Sequence, residues 1–197
     1  MFGALFNACC PAPCSVLILA GGRGQRMGGR DKGLLPWRGE PLVAHIQRVV
    51  RPLTDDLVIS CNRNQQVYAG FADCCVGDED RDYPGPLAGV IAGLQVVRHE
   101  WVVVLACDSP LIDRELIDAL RQLAAAEEAT AMVRQSGYWQ PMFSVLPRRL
   151  KPVLQQAWQN GERSLQKALS HQHLSALECA ADDHRLSNFN SPALLDL

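Results

Sequence analysis

The apolar run Val16-Leu17-Ile18-Leu19 leads directly into Ala20-Gly21-Gly22-Arg23-Gly24-Gln25-Arg26-Met27-Gly28-Gly29-Arg30-Asp31-Lys32. A buried strand that opens into a glycine-rich, basic loop constrains this chain more than any other feature. It predicts an α/β sheet whose first loop holds an anion. Glycines let a backbone turn tightly and bring its N–H groups close to phosphate. Arg26 adds a bidentate fork and Lys32 a compact ammonium. Between residues 21 and 39, five basic side chains (Arg23, Arg26, Arg30, Lys32, Arg38) face the single acid Asp31. The chain has only three lysines, so placing one here is a marked choice.

Two common phosphate motifs do not fit. A P-loop needs Gly-x4-Gly-Lys-Ser/Thr. Here Lys32 follows Asp31 and precedes Gly33, so the hydroxyl that would hold Mg²⁺ is missing. A dinucleotide fingerprint needs Gly-x-Gly-x-x-Gly, and Gly22-x-Gly24-x-x-x-Gly28 is one residue too long. The second strand also ends without the acid that would hold a ribose. A loop that merely turns would not explain the clustered charge.

The rest of the chain alternates strand and helix signals. Strands are expected at 15–20, 56–60, 74–76 and 101–106. The last is apolar throughout, as in a central parallel strand covered on both faces. Helices are expected at 41–50, 65–71, 86–97 and 113–126, where apolar residues recur at helical spacing. After Glu128 the rhythm loosens. Strands are expected at 129–134 and 138–145, one of them antiparallel to the rest, with helices at 147–159, 164–169 and 192–197. Repeated β–α units place ligands at the C-terminal ends of their strands.

A chain of 197 residues is most simply one domain. Residues 1–14 are expected to be a disordered extension, with one domain over 15–197. The opening Met1-Phe2-Gly3-Ala4-Leu5-Phe6 lacks a basic n-region, so no signal peptide is expected. No apolar run approaches the ~18 residues of a membrane span. A formal net charge of −2 argues against a general nucleic-acid binder, because the positive charge is confined to one loop. The eight cysteines are scattered, mostly in or beside apolar segments. That pattern suits buried free thiols in a reducing, cytoplasmic compartment. Cys9-Cys10-x3-Cys14 is the exception, but no later pair has zinc-site spacing.

Asp108 follows the most apolar strand and is the leading candidate for a metal ligand. Mg²⁺ takes oxygen donors and is usually held by one or two carboxylates plus substrate phosphates. The competing reading makes Asp108 a helix cap, yet Pro110 and Asp113 can begin the next helix unaided. Gly85-Pro86-Leu87-Ala88-Gly89 opens a helix, with proline at its usual early position. Asn188 and Asn190, read locally, are turn or cap residues before Pro192. His171 and His173 are expected at the surface.

The pattern Leu-Ala-Gly-Gly-x3-Arg-Met-Gly-Gly-x-Asp-Lys-Gly-Leu, present from Leu19 to Leu34, resembles the molybdenum cofactor guanylyltransferases, the MobA family. Further blocks continue the resemblance in order: Asp82-Tyr83-Pro84-Gly85-Pro86-Leu87-Ala88-Gly89, Cys107-Asp108-Ser109-Pro110, Asn160-Gly161-Glu162-Arg163 and Asn188-Phe189-Asn190-Ser191-Pro192. The resemblance implies a three-layer, Rossmann-like nucleotidyltransferase fold, with a mostly parallel sheet and helices on both faces. It implies transfer of GMP from GTP to the terminal phosphate of molybdopterin cofactor, with Mg²⁺ and release of pyrophosphate. It makes Arg26, Lys32 and Asp108 the catalytic set and Asp108 the metal ligand. The nucleotide would meet Leu19, Ala20, Gly21, Gly22, Lys32, Asp78, Gly85, Pro86, Leu87 and Asp108. The family asparagine that contacts the nucleotide aligns with Ser60 here, so either Ser60 or the nearby Asn62 makes that contact. Asn188 and Asn190 would lie on the molybdopterin side. Cofactor-handling proteins and target molybdoenzymes are the further partners implied; nucleic acid and membrane are not. Two alternatives stay open: a cytidylyltransferase on the same or a related acceptor, and a nucleotide-binding chaperone of molybdoenzymes without turnover.

Overall fold

The computed structural model of the protein describes residues 12–22, 28–77 and 85–190. In chain order the strands and helices are β1 (Cys14–Leu19), β2 (Pro36–Trp37), β3 (Glu40–Pro41), α1 (Leu42–Val50), β4 (Leu57–Ser60), α2 (Gln65–Tyr68), β5 (Cys74–Val76), α3 (Pro86–Val96), β6 (Trp101–Ala106), α4 (Arg114–Glu127), β7 (Thr130–Gln135), β8 (Tyr138–Pro147), α5 (Lys151–Gln159), α6 (Leu165–Ala168) and β9 (Leu174–Cys179). Seven strands form one sheet in the order β5-β4-β1-β6-β8-β7-β9. Only β8 runs against its neighbours; every other pairing in that sheet is parallel.

The central strands are apolar because both their faces are covered. Val16 to Ile18, Leu57 to Ile59 and Val102 to Leu105 are fully buried. On one face α1 and α4 pack through Val43, Ile46, Leu116 and Ile117. On the other, α3, α5 and α6 pack through Leu87, Leu94, Leu154 and Leu165. The expected fold class, a mostly parallel sheet between two helical layers, is therefore observed.

Several bounds differ from expectation. Strand β1 begins one residue early, at Cys14, whose buried thiol donates to the Leu53 carbonyl at 3.8 Å. Helix α2 stops at Tyr68, ahead of Gly70. Pro147 does not start a helix. It closes β8 opposite Trp101, a 3-10 turn follows at Arg148–Leu150, and α5 begins at Lys151. Arg148 N–H donates to Glu100 O at 2.6 Å, so the adjoining Trp101–Pro147 pair is one that exchanges no backbone hydrogen bonds, and the N–H that proline lacks is not needed there. Pro141 sits where the β7–β8 register shifts, between Met132–Ser144 and Val133–Gln140. The proline lacks the N–H that an unbroken ladder needs, and a bulge accommodates it. The helix expected at 192–197 lies outside the described residues.

Chain order and sheet order together locate a crevice. From β1 the chain moves to β4 and β5 on one side, then crosses back through α3 to β6 on the other. In open α/β sheets ligands bind where the strand order reverses, beyond the carboxyl ends. Here that point lies between the ends of β1 and β6. No helix among the described residues is long and apolar enough to cross a membrane.

Candidate active site

Three strands end level with one another. Leu19 pairs with Ser60 on one side and with Ala106 on the other. Hydrogen bonds just beyond the ladder keep the three exits together: Ala20 N–H donates to Ser60 O at 2.7 Å and Cys107 N–H to Leu19 O at 3.1 Å. The loops that leave this level carry Gly21 and Gly22, Asn62 and Arg63, and Asp108.

Lys32 and Asp108, 76 positions apart in the chain, meet here. The Lys32 ammonium donates to Asp108 Oδ2 at 2.9 Å. Asp108 is 8% exposed, so this carboxylate is largely withdrawn from water yet keeps an opening. A lone buried carboxylate would be costly, and the ammonium offsets that cost. The helix-cap reading of Asp108 does not hold: Asp113 caps α4, its Oδ1 accepting from Leu116 N–H at 2.8 Å. Lys32 itself stands on a 3-10 turn, Lys32–Leu34. Beside the pair, burial and the Asp108 charge push the Cys107 thiol well above its ordinary range. Cys107 therefore packs as a neutral thiol and offers no nucleophile.

The C-terminal segment lies directly over Asp108. Phe189 N–H donates to the Asp108 carbonyl at 2.7 Å, and Ser109 Oγ donates to Asn188 Oδ1 at 2.9 Å. Phe189 is buried against Trp37, Leu35 and Leu42, edge-on to the Trp37 ring at 5.1 Å. Asn188 is exposed and Asn190 half-buried. Sequence separation is thus no guide to distance: Asn188 is bonded to the residue after Asp108.

Gly85 requires glycine on two grounds. Its φ is +114°, and a Cβ would come within 3.1 Å of the Arg163 carbonyl oxygen. That contact brings the block at 160–163 against the start of α3. Arg163 is held there by stacking on the Trp158 ring at 3.8 Å. Ser60 is buried at the end of β4, with its Oγ against the first turns of α3, 2.9 Å from where a Gly89 Cβ would stand. Asn62 is half-buried beside Gly77. Leu19 and Gly21 are half-buried, Ala20 and Leu87 buried, and Gly22, Gly85 and Pro86 exposed. Of the expected site residues, Arg26 and Asp78 lie outside the described residues. His171 and His173 are exposed, as expected. A groove of about 530 Å³ opens between α3 and α5, lined by Val76, Ala88, Ile91 and Trp158 among others. None of its lining residues among the described ones is charged, so these offer a triphosphate no counter-charge. The charged side chains meet instead in the Lys32–Asp108 crevice.

One set of side chains at this end escaped the sequence reading. Asp31 Oδ1 accepts from the Tyr68 hydroxyl at 2.5 Å and Oδ2 from Asn64 Nδ2 at 2.9 Å. Arg63 donates to three carbonyls of the glycine loop. The signal was the lone acid in a basic loop, which in a buried setting calls for donors from elsewhere.

A model of the family described as "MobA-like NTP transferase domain" matches residues 16–176. The chain belongs to that family. It is a nucleotidyltransferase. A protein of Pseudomonas putida named "Molybdenum cofactor guanylyltransferase" is 71% identical over 183 residues, covering 93% of this chain and 96% of the relative. A Pseudomonas aeruginosa protein of the same name is 55% identical over 184 residues, covering 93% of each. Among solved structures, molybdopterin-guanine dinucleotide biosynthesis protein A from Archaeoglobus fulgidus superposes with a TM-score of 0.75 at 20% identity, covering 92% of this chain and 95% of that one. That last likeness concerns the fold.

Proposed function

We propose that this protein transfers GMP from GTP to the terminal phosphate of the molybdopterin cofactor, giving the guanine dinucleotide form and pyrophosphate. A terminal phosphate oxygen of the acceptor attacks the α-phosphorus of GTP. The bond from that phosphorus to the oxygen bridging to the β-phosphorus breaks, and its electrons leave with pyrophosphate. No covalent enzyme intermediate is required, so the protein's work is positioning and charge stabilisation.

The observation that carries this reading is the Lys32–Asp108 pair at the ends of β1 and β6. Lys32, with Arg26, would answer the charge on the β- and γ-phosphates. Leu19 to Gly22 and Gly85 to Leu87 would border the nucleoside, with Asp78 contacting it. Asn62 rather than Ser60 is assigned the remaining contact, because Ser60 is covered by α3 while Asn62 keeps access to solvent. Asn188 and Asn190 are assigned to the molybdopterin side, adjoining Asp108 through Ser109.

Mg²⁺ fits the donor set. The described residues contain no group of three or more His, Cys, Asp or Glu side chains able to enclose an ion. A single carboxylate completed by substrate phosphates is an ordinary way to bind this ion. Asp108 would hold it, and the bound ion would offset charge on the transferring phosphate. We further propose a cytoplasmic location and hand-over of the product to molybdoenzymes.

Pyrophosphate release, measured with each nucleotide in turn, tests the assignment. Release with GTP that depends on added molybdopterin cofactor is expected. Release with CTP alone would favour the cytidylyltransferase reading. Nucleotide binding without release would favour the chaperone.

A further inference from the structure

Arg63 ties together two parts of the chain that sequence keeps apart. It follows β4 and is half-buried. Its Nη1 donates to Gly29 O at 2.7 Å, and its Nη2 to Gly22 O at 3.2 Å and Arg30 O at 3.1 Å. Gly22 lies where the chain enters the glycine loop; Gly29 and Arg30 lie where it returns. The Nε is buried without a hydrogen-bond partner among the described residues and stands 3.7 Å from Asp31 Oδ2. Asp31 is fixed in turn by Asn64 and Tyr68. Tyr68 is fully buried, and burial foremost pushes its phenol far above its ordinary range, so it remains a donor. On the other side of Lys32, Gly33 is pressed so close that a Cβ would stand 2.5 Å from the Tyr68 oxygen and 3.1 Å from Cys107 Cβ. Lys32 is therefore held between two residues anchored on Tyr68.

We infer that Arg63 is the positioning residue of the triphosphate loop: it joins the loop's two ends and, through Asp31, sets where Lys32 stands. The inference rests on the function proposed above. Arg63's own donors go to backbone carbonyls, so it acts through Lys32 rather than as a phosphate ligand. The geometry calls for arginine. Three carbonyls around one planar group match a rigid fork with five donors, whereas a lysine ammonium offers one point with three.

A double-mutant cycle on nucleotide binding tests this. The variants are Arg63→Ala, Arg63→Lys, Lys32→Ala and the two combinations with Lys32→Ala. GTP, CTP and GMP are titrated against each, and thermal melts monitor folding. Arg63→Ala and Arg63→Lys are each expected to weaken GTP on the order of tenfold, with GMP affected less. In the Lys32→Ala background the same changes should cost under about threefold, because the residue through which Arg63 acts is gone. Full, additive losses would overturn the inference, as would unchanged GTP affinity in folded Arg63→Ala. Should Arg63→Ala fail to fold, Arg63→Lys decides. The cycle is read on whichever triphosphate the wild type prefers. A preference for CTP would thus overturn the proposed function while leaving the Arg63–Lys32 coupling to be judged on its own numbers.

Discussion

Asp108→Asn keeps the shape of the side chain at the end of β6 and removes its charge. Turnover should fall by on the order of a hundredfold or more, the range seen when one electrostatic contact at a reacting centre is lost. The melting temperature should change little, because the contact to Phe189 uses the Asp108 backbone. Near-normal pyrophosphate release by a folded variant would remove Asp108 from the site. Lys32→Ala should weaken GTP more than GMP, since GMP lacks the phosphates this charge would answer. Equal losses in titration would mean that Lys32 serves the base, the ribose or the fold. At this scale the sequence reading singled out Lys32 and Asp108, which the structure brings together; their part in turnover is proposed. Each carries a charge that must be explained where it stands, in a glycine loop or at the end of an apolar strand. It missed Arg63, Asn64 and Tyr68, whose task is to hold other residues. Nothing in an Arg-Asn-x3-Tyr spacing reveals that its partners lie more than thirty positions upstream.

Elements were legible wherever packing imposes a period. Strand β6 reads as an unbroken apolar run because helices cover both its faces, and α4 shows its stripe because only one side is buried. The β2–β3 hairpin was invisible, since two-residue strands leave no period. Its one cue was Arg38-Gly39, both with positive φ, the two-residue turn that favours glycine. Helix α3 was legible in extent, but its closeness to β1 was not. A Cβ at Gly93 would stand 2.5 Å from Leu17 Cδ1, and Leu17 is fully buried in a central strand. Gly93→Ala would gain up to about 1 kcal/mol of helix propensity and lose about 1–3 kcal/mol to overpacking. The overpacking cost wins, so the melting temperature should fall by about 2–6 °C at the usual scaling for this size. A rise on calorimetry would mean that α3 and β1 are less tightly packed than described.

At the scale of the whole molecule, topology converts a linear list of motifs into one crevice. The segments at 19–22, 28–34, 107–110 and 188–190 converge because β1 and β6 are neighbours and the C-terminal segment returns over Asp108. No local pattern encodes that return. Stability against acid is also a property of the whole chain. The Arg185 fork holds the Asp183 carboxyl below its usual range. A carboxyl lowered in the folded state stabilises above its unfolded value, about 3.9, and the benefit is lost as pH falls through the folded value. The difference in melting temperature between wild type and Asp183→Asn should therefore persist from pH 7 to 5 and shrink below about pH 4. A difference that is constant down to pH 3 would contradict the pairing.

The most direct measurement follows the α-phosphorus. The protein is incubated with Mg²⁺, molybdopterin cofactor and GTP labelled at the α-phosphate, and the products are separated. The label should appear in the guanine dinucleotide of the cofactor, with unlabelled pyrophosphate formed in equal amount. Label that stays in GTP, or leaves it without joining the cofactor, would contradict guanylyl transfer.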